Sequence, residues 1–474
     1  MPSKKTKIVA TIGPATDDID VLQELFLSGV NLTRQNFSHG DHAEHKNRFA
    51  NIKKTARLAG KTIATLQDLS GPKIRTRDNK GAEYINLQEG KEIAISSKQG
   101  KNTDEILYID YPKLADELKV GERVLLNDGK QELLVLEKID DFSLRARVIH
   151  GGKLRSRRGV NFPDSDISVS SITAKDKKDL KLGLDLGFDF IALSFVRSAQ
   201  DISDLRRILD KANSYSKIVA KIETPQAVEN IDEILDLADA IMIARGDLAI
   251  EVGAENVPMI QKKIIKKANA LAKPVIVATQ MLESMINSPV PTRAEVSDIS
   301  NAILDGADAV MLSEETAMGK YPKEVVKTMS KVAANTESQI NYSKRVSKID
   351  ITRHEKSYIT TKHAAQIALE LDSKAIVAFT ETGATARALS RHRCAQPIFV
   401  ISPREEVLRQ SVLSFGVYPG QKADLSRKRD VIKLASKMLK SKGVVKSGDR
   451  ITIVSGSIFG KPGETNTITT IDVE

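Results

Sequence analysis

Several residue types are scarce in this chain of 474 residues, and each scarcity narrows its class. Its only cysteine, Cys394, cannot form an internal disulfide, which favours a reducing compartment. Tryptophan is absent and aromatic residues make up 4%, too few for the stacking surfaces that bind single-stranded nucleic acid. No run of about 18 apolar residues occurs, so neither a transmembrane helix nor a membrane partner is expected.

What remains is the composition of an ordinary globular protein with a basic balance. Hydrophobic residues make up 41% and charged residues 28%, and the length predicts two to four domains. The 72 Lys and Arg residues exceed the 62 Asp and Glu residues, for a net charge of +10. That excess suits phosphorylated ligands or a solvated surface. The segment Met1–Lys7 lacks the apolar region of a signal peptide, so we expect a cytoplasmic location.

Short apolar runs alternate with helix-like runs over two parts of the chain. Eight such strand–helix units predict an α/β fold, a (β/α)₈ TIM barrel whose active site lies at the carboxyl ends of the strands. The predicted strands are Lys7–Gly13, Val30–Ser38, Thr62–Asp68, Phe188–Ser194, Lys217–Glu223, Ala240–Asp247, Pro274–Thr279 and Ala309–Ser313.

The pattern changes between Gly71 and Asn161, where short alternating runs are separated by turn signals such as Asn127–Gly129. This indicates a small β-barrel domain inserted after the third strand. After Ser343 a separate α/β segment begins with the strand Ala375–Phe379. We therefore predict barrel segments at 1–69 and 163–343, an inserted lid domain at 70–162 and a C-terminal domain at 344–474.

Charged residues gather at the ends of two predicted strands. Lys221 and Glu223 are two residues apart, as are Arg245 and Asp247, so on strands each pair shares a face. Neighbouring parallel strands lie roughly 4.8 Å apart, which would let Glu223 and Asp247 share one hard cation beside Lys221. An internal salt-bridge network is the other interpretation. The pattern favours a metal-assisted site for a small anionic substrate.

Other polar residues at strand ends have two interpretations each. Arg34, Asn36 and Ser38 alternate on one face before His39, and suit either phosphate and cation binding or capping of the next helix. Lys73, in the run Gly71–Arg75, could face the barrel mouth or be a surface base.

Hydroxyl-bearing positions later in the chain are also ambiguous. The residues that end the last two barrel strands could relay a proton or simply bind loops; they are Thr279, Gln280, Ser313 and Glu315. The loop Thr380–Thr385 could hold an anion at a helix start or cap that helix.

Taken together, these stretches resemble the pyruvate kinase family. The resemblance runs from Thr6–Pro14 to Val454–Gly463, essentially the whole chain. Its motifs, with order and spacing kept, are Asn36–Gly40, Gly71–Arg75, Ala220–Glu223, Ala244–Leu248, Ala278–Met285, Pro291–Glu295 and Met311–Ala317.

The resemblance implies transfer of the phosphoryl group of phosphoenolpyruvate to ADP, giving pyruvate and ATP, by a homotetramer. It implies Mg²⁺ or Mn²⁺ on Glu223 and Asp247, and catalysis by Lys221. The remaining implied roles are phosphate binding by Arg34, carboxylate binding by Thr279 with the amides near Gly246 and Asp247, nucleotide contacts at Asn36, His39, Arg75 and Arg158, and enolate protonation by Ser313 and Glu315.

Departures from the family pattern bear on monovalent cations. Members that need K⁺ usually carry glutamate where this chain has Lys73 and threonine where it has Leu69. Their K⁺ is held by oxygens that match Asn36, Ser38 and Asp68. We expect the Lys73 ammonium to supply that charge, so that K⁺ is not required.

Two further departures and one regulatory feature remain. Glu314 stands where many members have glycine, without an evident effect, and Ala249 replaces a common glycine with little expected consequence. The resemblance also implies activation by a sugar phosphate or AMP at Thr380, Thr382, Gly383 and Thr385. Two other functions compete: a magnesium-dependent aldol-type lyase, which leaves Arg75 and His39 unexplained, and a non-catalytic scaffold.

Overall fold

The structure is a computed structural model that describes residues 4–347, 355–424, 428–456 and 465–474. Its strands are β1 (Lys7–Thr11), β2 (Leu32–Asn36), β3 (Ala64–Asp68), β4 (Tyr84–Leu87), β5 (Glu92–Ser96), β6 (Ile106–Tyr108), β7 (Arg123–Leu126), β8 (Gln131–Asp140), β9 (Ser143–His150), β10 (Gly152–Arg155), β11 (Val160–Asn161), β12 (Phe190–Leu193), β13 (Lys217–Ile222), β14 (Ala240–Ala244), β15 (Val275–Ala278), β16 (Ala309–Leu312), β17 (Ala375–Phe379), β18 (Ile398–Ser402), β19 (Val417–Lys422), β20 (Arg450–Gly456) and β21 (Thr465–Asp472).

The helices follow the strands in the alternation that the sequence predicts. They are α1 (Ile19–Ser28), α2 (His42–Leu58), α3 (Leu114–Glu117), α4 (Ala174–Leu186), α5 (Ala199–Lys211), α6 (Pro225–Glu229), α7 (Ile231–Leu237), α8 (Arg245–Val252), α9 (Val257–Ala270), α10 (Arg293–Asp305), α11 (Glu314–Ala317), α12 (Pro322–Ser338), α13 (Tyr342–Ser347), α14 (Lys356–Glu370), α15 (Ala384–Ser390), α16 (Glu405–Ser411) and α17 (Lys428–Ser441), with a 3₁₀ turn at Glu283–Ile286. Among the described residues, none of these helices combines the length and apolarity needed to cross a bilayer.

Eight parallel strands close into a barrel in the order β1-β16-β15-β14-β13-β12-β3-β2, which confirms the predicted TIM barrel. Along β13, Ile218 and Ala220 pack outward against the helices, whereas Val219 faces the barrel interior. Because side chains alternate along a strand, Lys221 and Glu223 continue the inward-facing row of Val219. The period of two therefore delivers charged groups to the mouth of the barrel.

The opposite end of the barrel is closed by the C-terminal part of the chain. Val412 and Leu413, just after α16, belong to the same buried cluster as the interior residues Val9, Val219 and Met242. Arg393 reinforces this contact with a hydrogen bond of 2.7 Å to Asp308. The C-terminal part therefore completes the barrel core.

The chain between β3 and β12 forms sheets of its own. A six-stranded sheet has the order β11-β7-β8-β9-β5-β6, and β4 pairs with β10. These strands enclose a separate apolar cluster that includes Ile95, Leu107, Val124 and Val148. We call this unit the lid. Gly71 opens it with a φ of 66°, and a Cβ there would lie 2.8 Å from the Ser194 Cβ, so only glycine fits.

The C-terminal unit is a five-stranded sheet in the order β19-β18-β17-β20-β21, with β21 antiparallel to β20. The sequence pattern predicts four of these five strands, at Ala375–Phe379, Pro397–Ile401, Arg450–Val454 and Asn466–Ile471. The fifth, β19, contains Pro419 and Gly420 and lacks the pattern of a strand. Residues 457–463 of the Val454–Gly463 motif lie outside the described residues.

Candidate active site

A buried carboxylate, Asp68, joins two cations from neighbouring parts of the barrel. Arg34 donates from Nε to Asp68 Oδ2 at 2.6 Å, and Lys221 Nζ lies 3.4 Å from Oδ1. The Arg34 Nη1 also donates to Thr11 Oγ1 at 2.9 Å. Burial alone would raise the pKa of Asp68, but Lys221 and Arg34 together lower it. Asp68 thus stays ionised and orients both cations.

Lys221 has partners on three sides. Its Nζ lies 2.9 Å from Glu223 Oε1 and donates to Ser194 Oγ at 2.7 Å. Ser194 in turn donates to the Leu69 carbonyl at 2.8 Å. Burial alone would lower the pKa of Lys221, yet the nearby carboxylates raise it above its usual value. Lys221 is therefore a fixed positive charge. Ser194, the last residue of a predicted strand, was not singled out in the sequence although its position was a signal.

Glu223 is 1% exposed at the end of β13. Its Oε2 accepts a hydrogen bond of 2.7 Å from the amide of Phe195, which has a φ of 52°. Its Oε1 is buried and, although 2.9 Å from Lys221, has no hydrogen bond of good geometry. Burial raises the pKa of Glu223, the charge of Lys221 opposes that rise, and the charge of Asp247 adds to it. An incompletely satisfied, buried carboxylate oxygen suits a cation ligand.

Asp247 lies on a helix, not on a strand. The predicted strand Ala240–Asp247 is wrong at its end, because β14 stops at Ala244 and α8 begins at Arg245. Residues two apart on a helix point in different directions, so Arg245 and Asp247 do not share a face. Arg245 turns away to donate to Asp298 at 2.7 Å, whereas Asp247 lines the cleft under the lid.

Glu223 and Asp247 could hold a metal ion only together with ligands that do not come from the protein. In the described ranges no three His, Cys, Asp or Glu side chains cluster closely enough to hold an ion together. A cation held by Glu223 and Asp247 would therefore complete its shell with water or substrate oxygens, the arrangement that Mg²⁺ prefers.

Thr279 is strained and fully engaged. Its φ is 69°, unusual for a β-branched residue, and Gln280 follows with a φ of 53°. The Thr279 hydroxyl donates to the Ala278 carbonyl at 2.6 Å and accepts from the Gly246 amide at 2.8 Å. The hydroxyl and the Gly246 amide, both predicted to bind a substrate carboxylate, are thus bonded to each other in this structure.

Glu315 is buried and faces backbone amides. Its two oxygens accept from the amides of Ser313 at 2.6 Å and Leu282 at 3.2 Å. Burial raises its pKa. The loop-binding interpretation describes these contacts of Glu315, while its role with Ser313 in protonation stays a prediction.

A cavity of about 300 Å³ separates the lid from the barrel mouth. Of the predicted site residues, those that line it are Lys73, Arg75, Arg158 and Asp247. Arg157 also lines this cavity and is bonded to Asp78 at 2.8 Å.

His39 lies at the same basic mouth. Burial lowers its pKa, and the positive charges of Lys73, Arg34 and Arg75 lower it further. This neighbourhood brings His39, from the β2 end, within electrostatic range of the two lid-side bases. The three cations, Lys73, Arg34 and Arg75, form an environment for anions that no single stretch of sequence provides.

The predicted monovalent-cation oxygens differ in their contacts, because Asp68 Oδ1 is buried without a hydrogen bond of good geometry. Asn36 Oδ1 accepts from the Ser38 amide at 3.1 Å, a local turn contact. Burial lowers the pKa of Lys73, Arg75 and Lys221 lower it further, and Asp247 and Asp68 oppose them. Lys73 therefore lies within the electrostatic reach of the Asp68 carboxylate.

The predicted effector loop is tied together internally. The Gly383 amide donates to Thr380 Oγ1 at 3.0 Å, and the Thr385 hydroxyl is bonded to Thr465 Oγ1 at 2.8 Å. Arg387 donates to the Thr382 carbonyl at 3.2 Å. The helix α15 has Gly383 as its N-cap and no side-chain cap bond, so these contacts do not support the capping interpretation, and effector binding stays a prediction.

Comparison with known proteins agrees with this architecture. A family model described as the pyruvate kinase barrel domain matches residues 3–326, and one described as the pyruvate kinase alpha/beta domain matches residues 359–471. The chain is 43% identical to a pyruvate kinase of Geobacillus stearothermophilus over 98% of its own length and 79% of the relative's. It is 44% identical to pyruvate kinase 2 of Synechocystis sp. over 98% and 78%.

A solved structure extends the likeness to the fold. The crystal structure of a pyruvate kinase from Cryptosporidium parvum superposes with a TM-score of 0.94 at 34% identity, covering 100% of this chain and 97% of that one. With both family domains matched in order and the barrel-mouth residues assembled, the chain belongs to the pyruvate kinase family.

Proposed function

We propose that this protein transfers the phosphoryl group of phosphoenolpyruvate to ADP. The bond from phosphorus to the enol oxygen breaks, a bond to the terminal phosphate oxygen of ADP forms, and the enolate carbon takes up a proton to give pyruvate. The observation that carries the proposal is the pairing of Arg34 and Lys221 through one ionised carboxylate, Asp68, beside Glu223. Membership of the family supports the same reaction.

Arg34 and Lys221 would hold the phosphoryl group and stabilise the charge that develops on it. Phosphoryl transfer depends on positioning and charge neutralisation more than on covalent chemistry. Lys221 would also face the enolate oxygen as the bond breaks. Because Asp68 and Glu223 fix its ammonium, little reorganisation is needed during the reaction.

Glu223 and Asp247 would hold Mg²⁺ or Mn²⁺, which supplies positive charge to the phosphoryl and enolate oxygens when bound. The substrate carboxylate would lie at the first turn of α8, where backbone amides attract anions. Thr279 would exchange its contact with the Gly246 amide for one with that carboxylate.

The remaining residues would serve the nucleotide and the proton. Asn36, His39, Arg75 and Arg158 would contact the phosphates of ADP across the cleft. Ser313, with Glu315 behind it, would pass a proton to the enolate. Closure of the lid would keep water from the phosphoryl group.

Lys73 would replace K⁺. Its ammonium lies within the electrostatic reach of Asp68 and Asp247, and its charge would serve where other members bind the ion. We propose in addition a cytoplasmic homotetramer that a sugar phosphate or AMP activates at Thr380–Thr385.

The deciding experiment measures pyruvate formed from phosphoenolpyruvate, with ADP, Mg²⁺ and K⁺ varied independently. Turnover that requires ADP and Mg²⁺ supports the proposal. Turnover without ADP would be hydrolysis of phosphoenolpyruvate and would contradict transfer to ADP, and no turnover favours an aldol-type lyase or a scaffold. Lys221→Met should lower kcat by roughly 10²–10³-fold, because it removes one preorganised charge.

The activator is tested separately with AMP and monophosphorylated sugars. Activation that is lost in a Thr382→Ala, Thr385→Ala double variant supports the loop as the effector site. Because Thr385 is bonded to Thr465, the free energy of unfolding of the double variant should be measured in the same experiment.

A further inference from the structure

The lid touches the barrel at the helix that carries Asp247. Asn161, the last residue of β11, donates from Nδ2 to Glu251 Oε1 at 2.6 Å. Glu251 lies four residues after Asp247 on α8, so the two carboxylates share a helix face. Both side chains line the cleft.

Asn161 is fixed to the lid rather than to the connecting chain. It pairs with Leu125 of β7, and Val160 pairs with Leu126. A pull on the Asn161 side chain is thus transmitted to the six-stranded sheet. The segment that leads from β11 back to the barrel is held separately, because Arg197 donates to the carbonyls of Ile167 and Val169.

The lid reaches α8 at a second point. A Cβ on Gly129, in the turn between β7 and β8, would lie 3.6 Å from Ile250 Cγ2. The turn therefore lies next to Ile250, while the end of β11 bonds to Glu251, the adjacent residue of the same helix. Two points of approach from one sheet define its tilt over the cleft better than one could.

The side chain of Glu251 is partly buried. Burial raises its pKa to about 7, the hydrogen bond from Asn161 opposes that rise, and Asp247 adds to it. If the hydrogen bond from Asn161 is removed, water cannot fully replace it at this partly buried carboxyl group, so its loss costs free energy.

We propose that Glu251 is a positioning residue for the phosphoryl transfer proposed above, on which this inference rests: through Asn161 it holds the lid sheet on α8 and so sets how Arg75 and Arg158 face Asp247. Glu251 itself does not touch the reacting atoms. Its loss should therefore weaken nucleotide binding and leave the chemical step largely intact.

The test uses the full chain and four variants: Glu251→Ala, Asn161→Ala, their combination, and Glu251→Gln, which keeps an acceptor oxygen. Amide hydrogen exchange of residues 127–129 and 160–161, without substrate, should rise roughly fivefold to tenfold in each alanine variant. The double variant should exceed neither single one, and Glu251→Gln should stay near wild type. Glu137→Ala, which breaks the exposed pair with Arg145 elsewhere on the lid, is the matched control.

Steady-state kinetics supply the second measurement. The KM for ADP should rise by a similar factor in both single variants, with kcat and the KM for phosphoenolpyruvate changed less than twofold to threefold, about the usual scatter of context. Unchanged exchange in either single variant, or additive effects in the double variant, overturns the proposal. If the wild type makes no pyruvate, the function proposed above fails, while the exchange measurement still decides whether Glu251 and Asn161 hold the lid.

Discussion

Arg34 on β2 and Asp68 on β3 are joined by a hydrogen bond of 2.6 Å between the guanidinium Nε and the carboxylate. Asp68 is 1% exposed, and the same carboxylate faces Lys221. One acidic side chain therefore compensates two cations where water is excluded. Removing the carboxylate would leave buried positive charge without its partner.

Replacing that carboxylate should destabilise the fold. In Asp68→Asn, Arg34 would keep a hydrogen-bond partner but lose its compensating charge, and Lys221 would keep only Glu223. We expect a loss of about 3–5 kcal/mol in the free energy of unfolding, as for other broken buried ion pairs. Urea denaturation measures it. Asp372→Asn, at the exposed pair with Lys374, is the control and should be unchanged; an equally small effect at Asp68 would contradict the compensation argument.

Metal binding should depend on Glu223 even without turnover. Mn²⁺ at 100 times its dissociation constant should stabilise the wild type by about 2.7 kcal/mol, because the ion binds only the folded protein. Glu223→Gln removes a ligand charge and should abolish the rise in Tm. Glu229→Gln, on the exposed side of α6, is the control. A full Mn²⁺ shift in Glu223→Gln would place the ion elsewhere.

The hydroxyl of Thr279 should matter more than its methyl group. Thr279→Ser keeps the group that bonds the Gly246 amide and removes the branch that is strained at a φ of 69°. Thr279→Ala loses the hydroxyl. We expect kcat/KM for phosphoenolpyruvate to fall roughly 10–100-fold in the alanine variant and far less in the serine variant. Equal losses in both would assign the effect to the methyl group.

Monovalent-cation dependence should follow the charge at position 73. The wild type should be active without K⁺, and Lys73→Glu should be weakly active until K⁺ is added. The physical reason is that the variant puts a carboxylate where an ammonium lies within electrostatic range of Asp68 and Asp247. Assays in tetramethylammonium and potassium buffers of equal ionic strength measure this. Lys80→Glu, exposed on the lid, should behave as the wild type; strong K⁺ activation of the wild type would refute the idea.

Stability at alkaline pH should depend on Lys4. Burial lowers the pKa of Lys4 to about 8 from an ordinary 10.5, with Glu337 opposing the shift. Between these values the unfolded chain binds more protons than the folded protein, so stability contributed by this group rises with pH from about 8 to 10.5.

Lys4→Met should remove that contribution. The difference in unfolding free energy, variant minus wild type, should become less favourable to the variant as the pH rises through this window. Urea denaturation at several pH values measures it. A difference that stays constant across the window would show that Lys4 does not titrate there in the folded protein.

The sequence predicted the barrel and much of its mouth because both depend on a period of two. Lys221 and Glu223 could be assigned to one face, since alternation along a strand is local information. The same reasoning failed at Asp247. The apolar run ends at Ala244, but Arg245 and Asp247 still fit the alternation of a strand, and the single glycine between them does not reveal that a helix starts.

Contacts between distant segments were beyond sequence patterns. Asn161 and Glu251 are 90 residues apart, and their meeting depends on the tilt of the lid. Glu251 also becomes a neighbour of Asp247 only once α8 is known to be helical, because a spacing of four residues has no meaning on a strand. The bond between Ser194 and Lys221 likewise needs the order of the barrel strands.

The closure of the barrel floor by Val412 and Leu413 has a practical consequence for dissecting the molecule. A fragment cut near residue 343 would leave its lowest ring of apolar side chains facing solvent, and would tend to aggregate. A barrel fragment designed for use in another protein must therefore include the segment around Val412 and Leu413, because that segment is part of the barrel core.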